Sequence, residues 1–289
     1  MNFGKTLLFL PLTLITYVQA EEIRIAASDL LADYVQAPLK AYGERSETTF
    51  KIDSIGSLPA LDRLRSDEID LAIIAVPEGN EVPRDEFSIY PFAYDASVII
   101  VNASNPIDEI SLAYLGGIFG SNEEFNLNTW GELGLSGWGS RNIKPLAGTN
   151  EESIALELFK YSVFRGGVMK PSVAMVKDAE IEDLVSSDAA SIAILSRMPK
   201  SSGVKVISVS DSSNDDAPPF SPSDDNVHYG DYPIRLAFYI VYNERDAAKL
   251  RPVVRALFDD EVAASLREHQ LFALPDTVRR KLLIDLDLN

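Results

Sequence analysis

The residues best placed to do chemistry lie at Ala147-Gly148-Thr149-Asn150-Glu151-Glu152-Ser153, where small and polar side chains end a short apolar run, Ile143 to Leu146. In the segment that follows, Ile154, Leu158 and Tyr161 recur at i, i+4 and i+7, with Ala155 and Phe159 beside them. That spacing predicts a helix with one apolar face. A strand, a small-residue turn and a bare helix N-terminus together make a cradle for an anion, because free backbone N–H groups and the positive end of the helix dipole point out of it. The same residues also have a purely local use. Thr149 followed by Glu152 fits a capping box, in which two side chains satisfy each other's backbone N–H groups. Two further helix starts read alike: Ser28-Asp29 before Leu30, and Ser57 before Leu58-Pro59. Each cap alone is worth about 1 kcal/mol of helix stability.

The elements that must position these starts begin in a β-α-β-α-β order. Ile23 to Ala27 and Thr49 to Ser54 are short strands, Leu30 to Tyr42 is a helix containing Pro38, and Leu58 to Arg65 is a second helix. Leu71 to Ala75 is apolar without alternation, as a strand buried on both faces requires. This order predicts a parallel sheet covered on both sides. Ala96 to Asn102 and Ile234 to Tyr242 are strong strands far apart in the chain. If the first crosses out of one lobe and the second returns to it, the protein is a two-lobe α/β fold with mixed sheets flanked by helices and two hinge crossovers. The expected division is an export segment over 1–20, a first lobe over 21–98, a second lobe over 99–231, and a return to the first lobe with C-terminal helices over 232–289. Asp211 to Asp225, rich in aspartate, serine and proline, reads as a solvated loop.

Composition narrows the setting. Lys5, the apolar stretch Leu7 to Val18 and the small residues before Glu21 have the pattern of a cleavable signal peptide, too short and too interrupted by Pro11, Thr13 and Thr16 to span a bilayer. The chain contains no cysteine, which excludes disulfides, thiolate chemistry and a lipid-modified cysteine at the cleavage point. These features place the mature chain in a bacterial periplasm. The formal net charge of −18 opposes nucleic acid and anionic membrane surfaces. It opposes anionic small ligands only at long range, since a site is built from local dipoles.

Enzyme chemistry finds no support. The two histidines, His228 and His269, have no metal-ligand spacing around them. Gly134-Leu135-Ser136-Gly137-Trp138 half resembles a nucleophile elbow but lacks its final glycine. No P-loop and no dinucleotide fingerprint occurs. Asp211 to Asp216 has calcium-ligand residue types without the turn glycine or closing glutamate of an EF-hand loop. A hydrolase would need a nucleophile–base pair that the chain does not offer, and nothing calls for a cofactor or a metal.

An ordered set of landmarks carries a resemblance. They are Ala26-Ala27-Ser28, Ile55-Gly56-Ser57, Ile69-Asp70-Leu71, Tyr90-Pro91-Phe92 with Ala96 to Asn102, Leu115 to Gly120 with Trp130-Gly131-Glu132, Asn142-Ile143, Tyr232-Pro233-Ile234, and Leu274-Pro275-Asp276. In this order, over nearly the whole mature chain, the sequence resembles the phosphate-binding protein family of ABC phosphate importers, a branch of the type II periplasmic solute-binding proteins. The resemblance implies two lobes closing on one small-molecule oxyanion, a monomer that delivers its ligand to a membrane permease, and no contact with nucleic acid. It implies ligand contacts at Ser28, Gly56, Ser57, Leu58, Thr149, Asn150, Glu152 and Ser153. The departures are specific. The family's aspartate after the third strand falls at Ala75, its clamping arginine at Gly148, its second aspartate at Asn150, and its small-residue turn at Glu152 and Ser153. If Glu152 turns inward, phosphate is opposed; if it turns back to cap its own helix, the pocket stays open to a weaker or different ligand. A sensor or interaction module of the same fold, with a non-phosphate ligand or none, is the alternative reading.

Overall fold

Two sheets divide most of the strands, and the unbroken apolar runs form the middle of each. The computed structural model describes residues 21–121, 124–149, 153–164, 167–211 and 217–288. The expected export segment, Asn150, Glu151 and Glu152 therefore lie outside the described residues. β1 (Glu21–Ala27), α1 (Ala32–Ser46), β2 (Thr48–Ser54), α2 (Ser57–Arg65) and β3 (Leu71–Pro77) follow in the predicted order, and β1 pairs in parallel with both β2 and β3. α1 runs through Pro38.

The stretch expected as a single strand over Ala96 to Asn102 is broken at Ser97. β4 (Ser88–Ala96) belongs to the first sheet and β5 (Val98–Asn102) to the second. β4 also takes in Tyr90-Pro91-Phe92, which the apolar pattern alone does not mark as strand. Proline has no N–H to give a ladder. The pairing partners step from Ala93 to Pro91 between Phe238 and Tyr239, so Phe92 is left over as a bulge that absorbs the gap.

β6 (Glu109–Ser111), α3 (Leu112–Phe119), β7 (Gly120–Ser121), β8 (Lys144–Gly148), α4 (Ala155–Val163), β9 (Val168–Met169), β10 (Ala174–Val176), α5 (Asp178–Ser187), β11 (Ser191–Leu195), β12 (Val204–Val206) and β13 (Ser208–Ser210) form the middle of the chain. The second sheet runs β10-β8-β11-β5-β12, with β5 and β11 buried along their whole length. Trp130 is fully buried here and its indole N–H donates to the Ala190 carbonyl at 3.0 Å. The acidic stretch is not loop throughout. The Ser223 hydroxyl accepts the Asn226 N–H at 3.1 Å and opens the short α6 (Asp224–Tyr229), where two aspartates suit the first turn.

The chain closes with β14 (Arg235–Tyr242), α7 (Ala247–Leu257), α8 (Asp260–Glu268), β15 (Phe272–Ala273) and α9 (Asp276–Leu288). β14 runs antiparallel between β3 and β4, which gives the first sheet the order β15-β4-β14-β3-β1-β2. The outgoing and returning segments are pinned together at Ser97. Its N–H donates to the Ile234 carbonyl at 3.1 Å, the Tyr232 hydroxyl donates to its carbonyl at 2.6 Å, and its own hydroxyl donates to the Ala155 carbonyl at 2.6 Å. Ser97 and Tyr232 are closed to solvent, so each of these polar groups needs its partner. The crossing point thus holds the first turn of α4 directly.

Candidate functional site

Ser97 stands behind a cavity of about 290 Å³. It is lined by Asp29 and Leu30 at the approach to α1, by Ser153 and Ile154 at the approach to α4, by Asp95 of β4 and by Ser196 after β11. Tyr34 and His269, also in the lining, stack with ring centroids 4.5 Å apart. The cavity therefore gathers one helix start from each sheet and the strand that crosses between them. A larger concavity of about 700 Å³ along α4 is lined by the apolar Pro77, Leu158, Phe164, Val168 and Leu236 together with Glu157, Lys160 and Tyr161, all from α4.

The predicted contacts divide. Ser28 is buried at the turn into α1: its N–H donates to the Ile73 carbonyl at 2.8 Å, and its carbonyl accepts the N–H groups of Leu31 and Ala32 at 2.9 Å each. Its hydroxyl accepts the Leu30 N–H at 3.4 Å and lies 3.5 Å from an Asp29 carboxylate oxygen, so it stands one layer behind the cavity wall. Gly56, Ser57 and Leu58 are not on that wall. Gly56 rather than Ser57 is the N-cap of α2, and Ser57 is the first helical residue. The Ser57 hydroxyl donates to the Ala75 carbonyl and accepts the Ala75 N–H, both at 2.9 Å. Two bonds to one residue, Ala75, consume it as a clasp between α2 and β3, which corrects its expected capping role. Leu58 is 76% exposed.

At the second helix start α4 begins at Ala155, and Glu152, the partner in the capping box expected at Thr149, lies outside the described residues. The Thr149 N–H donates to the Val176 carbonyl at 3.0 Å and prolongs the pairing of β8 with β10. Ser153 takes the local role, its hydroxyl accepting the Ala155 N–H at 3.4 Å and donating to Asp178 at 3.1 Å. Asn150 and Glu152 lie outside the described residues. A capping box does form elsewhere, where the Glu132 carboxylate accepts the N–H groups of Asn128 and Thr129 at 2.8 and 2.7 Å.

Gly148 has a steric reason. A Cβ at this position would stand 1.6 Å from an Asp178 carboxylate oxygen, well inside van der Waals contact. Asp178 is 4% exposed and is the first residue of α5. An acid thus fills the space beside the position where the resemblance expects an arginine, and Ser153 anchors it.

Sequence reasoning missed Asp95. Its carboxyl lines the cavity, and one of its oxygens accepts the Ala96 N–H at 2.8 Å. Burial pushes its pKa up to about 7, and the single backbone hydrogen bond offsets only part of that. The available signal was an acid standing alone within Ile89 to Val101, a stretch otherwise free of charge. Among the described residues no lysine or arginine lines this cavity. The arrangement can accept hydrogen bonds at Asp29, donate from the Ser196 hydroxyl, and do either at Asp95, while the N–H groups of Leu30, Leu31, Ala32 and Ala155 are already taken by Ser28 and Ser153.

Comparison with known proteins agrees with this architecture. Residues 18–259 match the family described as the PBP superfamily domain. The phosphate-binding protein PstS of Pseudomonas aeruginosa is 26% identical over 168 residues, which are 56% of this chain and 51% of that protein. The chain thus spans about half the length of the curated relatives it matches. PstS from Borrelia burgdorferi has a similar structure, with a TM-score of 0.71 at 16% identity over 88% of this chain and 99% of that one. A possible phosphate binding protein from Planctomyces limnophilus gives a TM-score of 0.68 at 16% identity over 93% and 98%. At these identities the structural likeness speaks for the fold.

Proposed function

The chain belongs to the PBP superfamily, and on that premise we propose that it is an extracytoplasmic solute-binding protein of an ABC-type importer, holding phosphate or a related oxyanion between its two lobes. The observation that carries this reading is the cavity near the crossing, which the approaches to α1 and α4 and Asp95 all line. A helix start favours an anion through its dipole, and that field remains although the N–H groups of Leu30, Leu31, Ala32 and Ala155 are bonded within the protein. The phosphate-binding relatives support the choice of ligand class. In this reading residues 1–20 direct export to the periplasm, lobe one comprises 21–98 and 232–289, lobe two comprises 99–231, and the monomer passes its ligand to a membrane permease without chemical change.

Calorimetry of the mature chain with inorganic phosphate tests the proposal. Saturable binding with lobe closure in solution scattering is expected; no heat at millimolar phosphate rejects the oxyanion reading. The acid-lined wall favours a second reading, a sensor or interaction module whose ligand is not anionic. Closure on adding an amine-bearing metabolite but not phosphate would select it.

A further inference from the structure

The wall of the cleft bears two carboxyl groups, and among the described residues no fixed cation answers them. From α1 come Asp29 and Tyr34; from the approach to α4 comes Ser153, whose proton is already given to Asp178; after β11 comes Ser196; after α8 come His269 and Gln270. Within the sheet, Asp95 stands opposite the apolar Leu236, and its neighbour Tyr94 turns to His228, with a 2.9 Å contact between hydroxyl and ring nitrogen. Arg235, the nearby cation, is paired with Glu78 at 3.0 Å. An oxyanion entering this cleft meets few donors and one acid poised to change state.

We propose that Asp95 is the ligand-selecting group of the cleft: as the carboxylic acid it donates a hydrogen bond to a phosphate oxygen, and the anion is captured only while that proton is present. One oxygen of the carboxyl accepts the Ala96 N–H, and the other has no hydrogen-bond partner among the described residues, so in a residue that lines the cavity it is the oxygen left to carry the proton. An ionised Asp95 repels the anion, whereas the acid replaces that repulsion with a donor. Burial without a cation brings the protonated form within reach of neutral pH. The assignment rests on the solute-binding reading above.

The test is calorimetry of the full mature chain with inorganic phosphate at about pH 6 and about pH 8.5, for the natural protein and for Asp95→Asn, whose amide keeps a donor at every pH. The ratio of the two dissociation constants cancels the titration of phosphate itself. The natural protein should weaken relative to Asp95→Asn by about tenfold or more across this interval, as loss of one required proton demands. Titration in two buffers of different ionisation enthalpy should show proton uptake on binding at the higher pH that Asp95→Asn lacks. His269 lines the same cavity, so as the control His269→Gln should keep the pH dependence. A ratio that stays flat, relative tightening at high pH, or loss of the dependence in His269→Gln overturns the assignment while leaving solute binding intact. Absence of binding at every pH overturns both. Should Asp95→Asn fail to fold, Asp95→Ser, whose hydroxyl is a donor at every pH, takes its place in the same ratio: relative weakening of the natural protein at high pH supports the role, and a flat ratio refutes it.

Discussion

Replacing Gly148 with alanine tests the closest packing at the second helix start. The new Cβ would lie 1.6 Å from one Asp178 oxygen and 2.8 Å from its Cγ, so the carboxylate must leave or the β8 backbone must move. Leaving forfeits the charge-assisted hydrogen bond from Ser153, worth about 1.5–3 kcal/mol. It also forfeits the favourable seat of an acid in the first turn of α5, worth about 0.3–1 kcal/mol. Moving the backbone costs about 1–3 kcal/mol, as overpacking does elsewhere. Gly148→Ala should therefore destabilise the fold by about 2–4 kcal/mol. In an Asp178→Ala background the obstructing atoms are absent, and the same change should cost less than about 1 kcal/mol, a coupling of roughly 2 kcal/mol. Urea unfolding of the four proteins, followed by circular dichroism and by the fluorescence of the buried Trp130, measures the cycle. Equal costs in both backgrounds, or no cost in either, would refute the idea that Asp178 dictates glycine here.

Two further outcomes follow from the first sheet. Ser57→Ala should lower stability by about 1–3 kcal/mol in urea unfolding, because it removes two bonds to Ala75 and leaves that residue's N–H and carbonyl without their partner. Asp70 should shape the acid limb of the stability curve. Burial alone would raise its pKa, but hydrogen bonds from Arg24 and Lys249 outweigh that and hold it down at about 2. A depressed carboxylate stabilises the fold above its unfolded pKa near 4, and the contribution fades as pH falls toward 2. Asp70→Asn should flatten unfolding stability over that window and cost about 2 kcal/mol at neutral pH; an unchanged acid limb would contradict this.

Much of the framework was legible from local pattern. Apolar runs marked β1, β3, β5 and β14, and patterned segments marked α2, α4 and the C-terminal helices, because burial of one face or both leaves its period in the sequence. The break at Ser97 was not legible, since Ala96 to Asn102 is uniformly strand-prone and only the two sheets decide where the chain changes partner. The bulge beside Pro91 and the short helix at Asp224 were hidden for a related reason: each depends on partners distant in the chain or on a single cap.

For the candidate site the division is sharper. By itself the sequence determined the small-residue turns, the acidic balance, the missing cysteine and the absence of a charge at Gly148, and it marked Ser28, Ser57 and Thr149 as alike. Tertiary structure separated them. Ser57 is spent on Ala75 across the sheet, Thr149 on Val176, and Ser153 on Asp178, because a hydroxyl or N–H that becomes buried is taken by whichever partner the fold brings within 3 Å or so. Only the packing of both lobes around the crossing turned Asp95, an unremarked residue of a strand, into the carboxyl of the cleft. Spacing along the chain records what a residue can do; the field and the neighbours that decide what it does come from residues far away in sequence.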